Sequence, residues 1–470
     1  MTDTRTPRPY ERKVTPYERL FRRSPFSTVT LVAHISGCVP EDALEHAVAA
    51  VQRRHTNLRV RIVEDAAGNP WFTSAGVGEI PVRVVPRESG DHWISVVREA
   101  AQVPYEFGSC PSIRLILVRS EDQSDLVIAC HHIICDGLSL AYLARDLMLH
   151  LGDPSREVEV LPDPPIVARD NIPADVSVNA VVRFLINRMN GKWAPQRVRF
   201  DQQDYEDLCA AYWRRYEHRL LPIEVPEGQT SALVKRCRSE GVTVNSALTA
   251  AFVGAQVEVQ GRRDHHSDIA VAGSLRDRLR EPVGEAMGFY AGVVRTKHRY
   301  DPRRRFWDNA RSLHRELRPQ YTDRNLFADA LMWSYLDPTI LEAINFKRLG
   351  GLVPETAARY AKLSGFGNRS DVVRSLLKRE RMDSLETIAM GTAMTNLTRM
   401  DFPRQYGALE LERLILKPGG AFPLANVNLV VGAVTCAGKL SLALEFVEAN
   451  VSMPAAERIG DQALSFLQAG

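Results

Sequence analysis

Hydrophobic and polar positions divide the chain into segments of two periods. Residues 26–36 are rich in Thr, Val and Leu and read as a strand that Gly37 ends. Pro40-Glu41-Asp42 opens a helix with the proline at its first position, and Leu44, Ala47, Val48 and Val51 recur on one face of it. His55-Thr56-Asn57 stops that helix. Leu58, Val60 and Ile62 then alternate with Arg59 and Arg61 in a further strand, and Gly68-Asn69-Pro70 marks a turn. A helix over 91–102 and strands over 112–118 and 125–131 follow. Residues 1–151 thus predict an α+β lobe whose last strand ends in two histidines.

Pro154, Pro162, Pro164, Pro165 and Pro173 interrupt any period after that, so 152–215 reads as a Pro-rich linker followed by an inter-lobe helix. On that helix Val178, Val181, Val182, Leu185, Ile186 and Met189 form one apolar face. A tunnel wall and a membrane-surface contact both fit such a face; packing between lobes is preferred because only Arg183 and Arg188 add charge. A second lobe is expected over 216–470. Its strands fall at 216–225, 268–273, 288–294, 394–396, 411–416, 426–434 and 440–446, with helices at 229–239, 245–259, 308–317 and 454–467 and a helical, charged stretch over 320–390.

Composition narrows the class without changing this picture. At 470 residues the chain exceeds the size at which one core stops growing, in keeping with two lobes. A formal charge of +3 is too small to argue for nucleic acid or an anionic membrane as partner. The seven cysteines are dispersed without a C-x-x-C spacing, as expected of reduced thiols. Residues 1–13 are polar and carry no apolar leader core, and no stretch approaches the roughly 18 apolar residues of a membrane span. The expectation is a soluble, cytoplasmic monomer.

The chemistry concentrates at Cys130-His131-His132-Ile133-Ile134-Cys135-Asp136-Gly137, read as a buried strand, a tight Asp-Gly turn and a helix. Successive strand residues face opposite ways, so one histidine can reach a cleft while the other packs inside. A histidine there suits a general base near neutral pH, given a partner that fixes its tautomer. Asp136 either supplies that partner directly or pairs with an arginine to hold the turn. The rival reading is two satisfied core histidines. A metal site is disfavoured because adjacent strand residues cannot converge on one ion, and Cys135 has nothing to single it out as a nucleophile.

The full pattern, with strand before and helix after, resembles the His-His-x-x-x-Asp-Gly motif of the chloramphenicol-acetyltransferase-like superfamily of thioester-dependent acyltransferases. That superfamily includes condensation domains and stand-alone polyketide-associated acyltransferases. Arg54-His55-Thr56-Asn57-Leu58-Arg59, Gly288-Phe289-Tyr290 and Thr395-Asn396 resemble further family segments in the right order, whereas the family's Asp-Phe-Gly-Trp-Gly is missing: Asp401-Phe402-Pro403 shares only its first two letters. The resemblance implies an α/β (mixed α+β) fold of two such lobes in a pseudo-dimeric V with the active site in a channel between them. It implies His132 as the base and His131 as a packing residue. Asp136 would be anchored by Arg276, with Arg278 as the alternate, and Gly137 would leave room for a pantetheine arm. Asn396 and Tyr290 would meet substrate.

No cofactor or metal is expected to be bound permanently. The donor implied is acyl-CoA or an acyl-phosphopantetheinyl carrier protein, met in trans, and the acceptor a small alcohol or amine. Basic runs at Pro302-Arg303-Arg304-Arg305 and Lys378-Arg379-Glu380-Arg381 are candidate carrier-docking faces, with solvated surface the commoner explanation. Ester formation in secondary metabolite or lipid biosynthesis is the first reading. Amide formation by a free-standing condensation enzyme and a catalytically silent carrier-binding domain are the alternatives.

Overall fold

The strand Gln123–His131 is buried from Ser124 onward because it lies inside a six-stranded sheet with apolar layers on both faces. Leu126, Ile128 and Cys130 point into one cluster, while Val127 and Ala129 point into another against the helix His92–Gln102. That two-sided burial explains why its sequence reads as a continuous apolar run. The computed structural model describes residues 9–369, 371–379, 384–420 and 424–468.

In spatial order the first sheet runs Gln405–Tyr406, Leu409–Lys417, Thr28–Ser36, Gln123–His131, Ile113–Arg119, Val82–Pro86. Only its last pair is parallel. The second runs Ala291–Lys297, Asp268–Ser274, Met390–Met400, Val427–Cys436, Lys439–Val447, His218–Val225, with Met390–Met400 parallel to both neighbours. Glu11–Lys13, Pro70–Thr73 and Arg61–Glu64 make a small third sheet. The architecture is mixed α/β.

The 216–470 boundary does not describe the sheets. Strand Leu409–Lys417, expected to help finish the second lobe, instead pairs antiparallel with Thr28–Ser36 and so covers what would be an open edge of the first sheet. It also touches the second sheet: a Cβ on Gly432 would lie 2.1 Å from the Leu416 carbonyl oxygen, so only glycine allows this backbone approach.

Other expectations shift locally. Pro40 is the N-cap and the helix is Glu41–Arg54. Leu58 belongs to a 3-10 turn, Thr56–Leu58, ahead of the strand Arg61–Glu64. The apolar face of Ala180–Trp193 is not packed as a whole. Ile186 is buried and Val182 and Met189 lie on the core, but Val181 and Phe184 remain 69% and 65% exposed. No single described helix is long and apolar enough to cross a membrane; the bent pair Glu227–Ser239 and Val244–Gln260 passes by composition, and its second member is a buried core helix.

Candidate active site

His131 is the last residue of its strand, and residues 132–134 form the turn. Backbone bonds pin that turn at both ends: His131 N donates to Ser112 O, His132 N to Ser27 O, and Ile134 N to His131 O. The Asp-Gly step is not the turn itself. Asp136 is the N-cap of the helix Gly137–Gly152, and its Oδ1 accepts from Ser139 N at 2.7 Å.

The two histidines occupy different surroundings. His131 is fully buried between Tyr105 and Phe107, ring centres 5.3 and 5.2 Å away, and its Nδ1 accepts from Ile133 N. Burial holds its pKa well below the usual histidine value, with the neighbouring His132 and Arg114 acting the same way. His132 lines a cavity of about 230 Å³, between Phe21 and Phe289 at 5.2 Å each. Its Nδ1 is 3.1 Å from Cys135 O. A carbonyl can only accept, so Nδ1 carries the proton and Nε2 keeps its lone pair. Burial lowers the His132 pKa, against opposition from the Cys135 carbonyl, the Asp136 charge and the Gly419 backbone, with Lys417 lowering it further. The ring is therefore neutral at neutral pH.

Asp136 does not touch His132 by hydrogen bond. Its Oδ1 accepts from Arg276 Nη2 at 3.0 Å and from Ser139 Oγ at 2.8 Å, and Oδ2 accepts from Tyr290 N at 3.1 Å. Arg276 also donates to Gly284 O, Ala286 O and Ser139 Oγ. Arg278, the alternate, pairs with Asp323 instead. Ser139 was not singled out in the sequence, although a hydroxyl three residues after an N-cap aspartate is the signal of a reciprocal cap. The segment 54–59 serves the same frame: Arg54 and His55 both bind Asp146 on the motif helix, and Asn57 Nδ2 donates to Met287 O across the lobes.

Two expected substrate contacts move. Asn396 is turned away, its carboxamide oxygen accepting from Thr398 N at 2.7 Å, and Thr395 lines the cavity. A register shift between Asn396 and Arg399, with Thr398 at φ 64, breaks the alternation assumed for this strand. Phe289, not Tyr290, faces His132; the Tyr290 hydroxyl donates to Pro165 O at 2.5 Å and its ring packs 4.9 Å from the Arg276 guanidinium. Gly137 does line the cavity, and a Cβ there would come 2.8 Å from Leu397 Cδ2. Cys135 donates to His131 O, and burial pushes its thiol pKa well up, which disqualifies it as a thiolate. Among the described residues no group of three metal-ligating side chains converges. Arg303 and Arg305 pair with Asp301 and Asp308 on an exposed face; Glu380 and Arg381 of the other basic run lie outside the described residues.

A larger chamber of about 760 Å³ adjoins this cavity and shares Arg295, Asp329, Trp333, Ala389 and Met390 with it. Val182, Leu185, Ile186 and Met189 form part of its wall.

Residues 14–158 match the family model described as Condensation domain. The same arrangement extends to the rest of the chain. The trichothecene 15-O-acetyltransferase TRI3 of Fusarium sporotrichioides superposes with a TM-score of 0.62 at 14% identity, covering 98% of this chain and 95% of that one. The matched stretch contains the whole His132 motif, and the fold over nearly the whole chain is that of condensation domains and related acyltransferases. Another member of the fold, polyketide synthase associated protein 5 from Mycobacterium tuberculosis, gives a TM-score of 0.57 at 17% identity over 98% of both chains. In sequence, the chain is 25% identical to a linear gramicidin synthase of Brevibacillus parabrevis over 304 residues, 61% of the chain but only 6% of that synthase.

Proposed function

We propose that this chain is an acyltransferase that moves an acyl group from a thioester to an acceptor hydroxyl, with His132 as general base. The observation that carries the reading is the Cys135 carbonyl at His132 Nδ1, which leaves Nε2 basic in a cavity walled by Phe21 and Phe289. A lowered pKa keeps the ring in its proton-accepting form at neutral pH.

The steps follow from that tautomer. Nε2 takes the hydroxyl proton as the acceptor oxygen bonds to the thioester carbonyl carbon. The resulting oxyanion collapses, the carbon–sulfur bond breaks, and the imidazolium returns its proton to the departing thiolate. The Gly419 backbone and the Asp136 charge favour the imidazolium between these steps. Asp136, Ser139, Arg276 and the Tyr290 amide hold the turn that presents His132 and touch no reacting atom. Thr395 lines the cavity from the second lobe. The donor is a coenzyme A thioester or an acyl group on a carrier protein's phosphopantetheine, and the adjoining chamber offers room for an apolar acyl chain.

Amide formation is the second reading, favoured by the match to the gramicidin synthase as against the O-acetyltransferase among the structural relatives. Mass spectrometry of products from acyl-thioester donors with matched alcohol and amine panels separates the two, and free-thiol release with coenzyme A against carrier-bound donors identifies the donor. Equal turnover by wild-type and His132→Ala proteins would end the general-base reading.

A further inference from the structure

The helix Pro338–Leu349 is buried on all sides from Ile340 to Leu349, and three of those residues are charged: Glu342, Lys347 and Arg348. Two of the three are matched. Glu342 binds Arg19 at 3.0 Å and Arg22 at 3.2 Å; Lys347 lies 3.6 Å from Asp371 and donates to Phe366 O. Arg348 is not. Its Nη2 donates to Asn426 Oδ1, a neutral acceptor that Ser384 O and Thr387 O already hold in place. Its Nε and Nη1 are buried without a hydrogen-bond partner, and among the described residues no carboxylate forms an ion pair with it. The residue is only 8% exposed, yet it lines the same cavity as His132. Burial lowers its pKa to about 10, so it stays charged at neutral pH.

A buried guanidinium that lacks a counter-charge is costly, and the fold elsewhere avoids it. Arg276 shows the counter-charged case: its two Nη atoms meet one carboxylate, two carbonyls and a hydroxyl, and Nε alone lacks a partner, whereas Arg348 lacks a partner at Nη1 as well and has no carboxylate. The rest of the His132 cavity is mainly apolar, with Leu20, Val29, Leu416 and Val430 among its walls. An arginine retained there with donors unused fits one ligand chemistry, an anion. We propose that Arg348 receives a negatively charged group, a carboxylate or a phosphate, on the substrate that occupies the His132 cavity. The proposal rests on the acyl-transfer reading for which substrate enters: a carboxylate would belong to a hydroxy- or amino-acid acceptor, a phosphate to the pantetheine arm of the donor.

The test is equilibrium binding, which needs no turnover. Two matched probe pairs are titrated: 4-hydroxybutyrate against 1,4-butanediol, and 4′-phosphopantetheine against pantetheine. Wild-type protein is expected to favour the anion of one pair by at least about tenfold, the worth of a charge-assisted hydrogen bond. Arg348→Gln is expected to bring that preference within about twofold, and Arg348→Lys, which keeps the charge without the fork, to retain part of it. The responding pair names the source: acceptor carboxylate or donor phosphate. No anion preference in wild type, or one that survives in a folded Arg348→Gln, overturns the proposal. If Arg348→Gln does not fold, Arg348→Lys decides: an unchanged preference overturns it and a preference reduced by about threefold or more supports it. An anion preference in a protein that transfers no acyl group leaves Arg348 as an anion site and removes only the acyl-transfer reading.

Discussion

Arg276 Nη2 stands 3.0 Å from Asp136 Oδ1, and both side chains are almost sealed from solvent. The pair joins the N-cap of the motif helix to the loop after strand Asp268–Ser274, so it fixes the turn and ties the lobes at one point. Removing one partner leaves the other charge buried. Asp136→Ala is expected to cost about 3–5 kcal/mol in urea unfolding, and Asp136→Asn with Arg276→Met together less than the sum of the singles. Additive losses in that cycle would mean the two charges are not coupled.

His132→Ala keeps the apolar walls and removes the base. Acyl transfer should fall by roughly 10²–10⁴ in kcat in a variant that thermal melting shows to be folded. A kcat within a few-fold of wild type in a folded variant contradicts the role.

The acid limb of the rate profile follows from the lowered His132 pKa. The base is lost only as pH falls through a value below the ordinary 6.5, so kcat/KM should hold steady from neutral pH down past 6.5 before it declines. An acid limb centred above 6.5 would show that the ring is not desolvated.

Stability has its own pH dependence with the same sign. His34, His131, His132 and His218 are buried with pKa values below 6.5, so the unfolded chain binds more protons than the folded one once the pH drops. Their contribution is complete above about pH 6.5 and is lost as pH falls toward the folded values, at about 1.4 kcal/mol per pH unit for each extra proton bound. Urea midpoints at pH 7.5 and 5.5 check this, and equal midpoints would refute it.

Gly419 offers a change that acts on His132 from behind. A Cβ there would lie 2.8 Å from the Thr28 backbone and 3.0 Å from His132 Cδ2. The backbone cannot yield cheaply, so Gly419→Ala should cost about 1–3 kcal/mol and displace the ring. Activity should then drop further than stability alone explains, measured as kcat at a temperature where the variant remains folded.

Much of this was legible in the chain. The run from Leu126 to Gly137 announces a buried strand, a turn and a helix start, and Phe289 and Thr395 sit within the two second-lobe segments that drew attention. Within each segment the residue facing the cavity was misassigned by one position, because local period says nothing of the bulge after Asn396 or of the hydrogen bond that draws the Tyr290 amide to Asp136. Arg348 left no trace: Ile340–Leu349 carries Glu342, Asn345, Lys347 and Arg348, and a charged helical stretch does not announce that every face of it is buried. The partner of Leu409–Lys417 left none, since a strand's own alternation does not name which of two sheets it will join.

That strand changes what opening the molecule can mean. Leu409–Lys417 leaves the second lobe, lies along Thr28–Ser36, and leads into Gly419 beside His132. Pulling the lobes apart would strip a row of amides and carbonyls from the Thr28–Ser36 side of the first sheet, a cooperative rupture and not a gentle swing. Separation of the two sheets is therefore tied to that pairing, and His132 sits beside it.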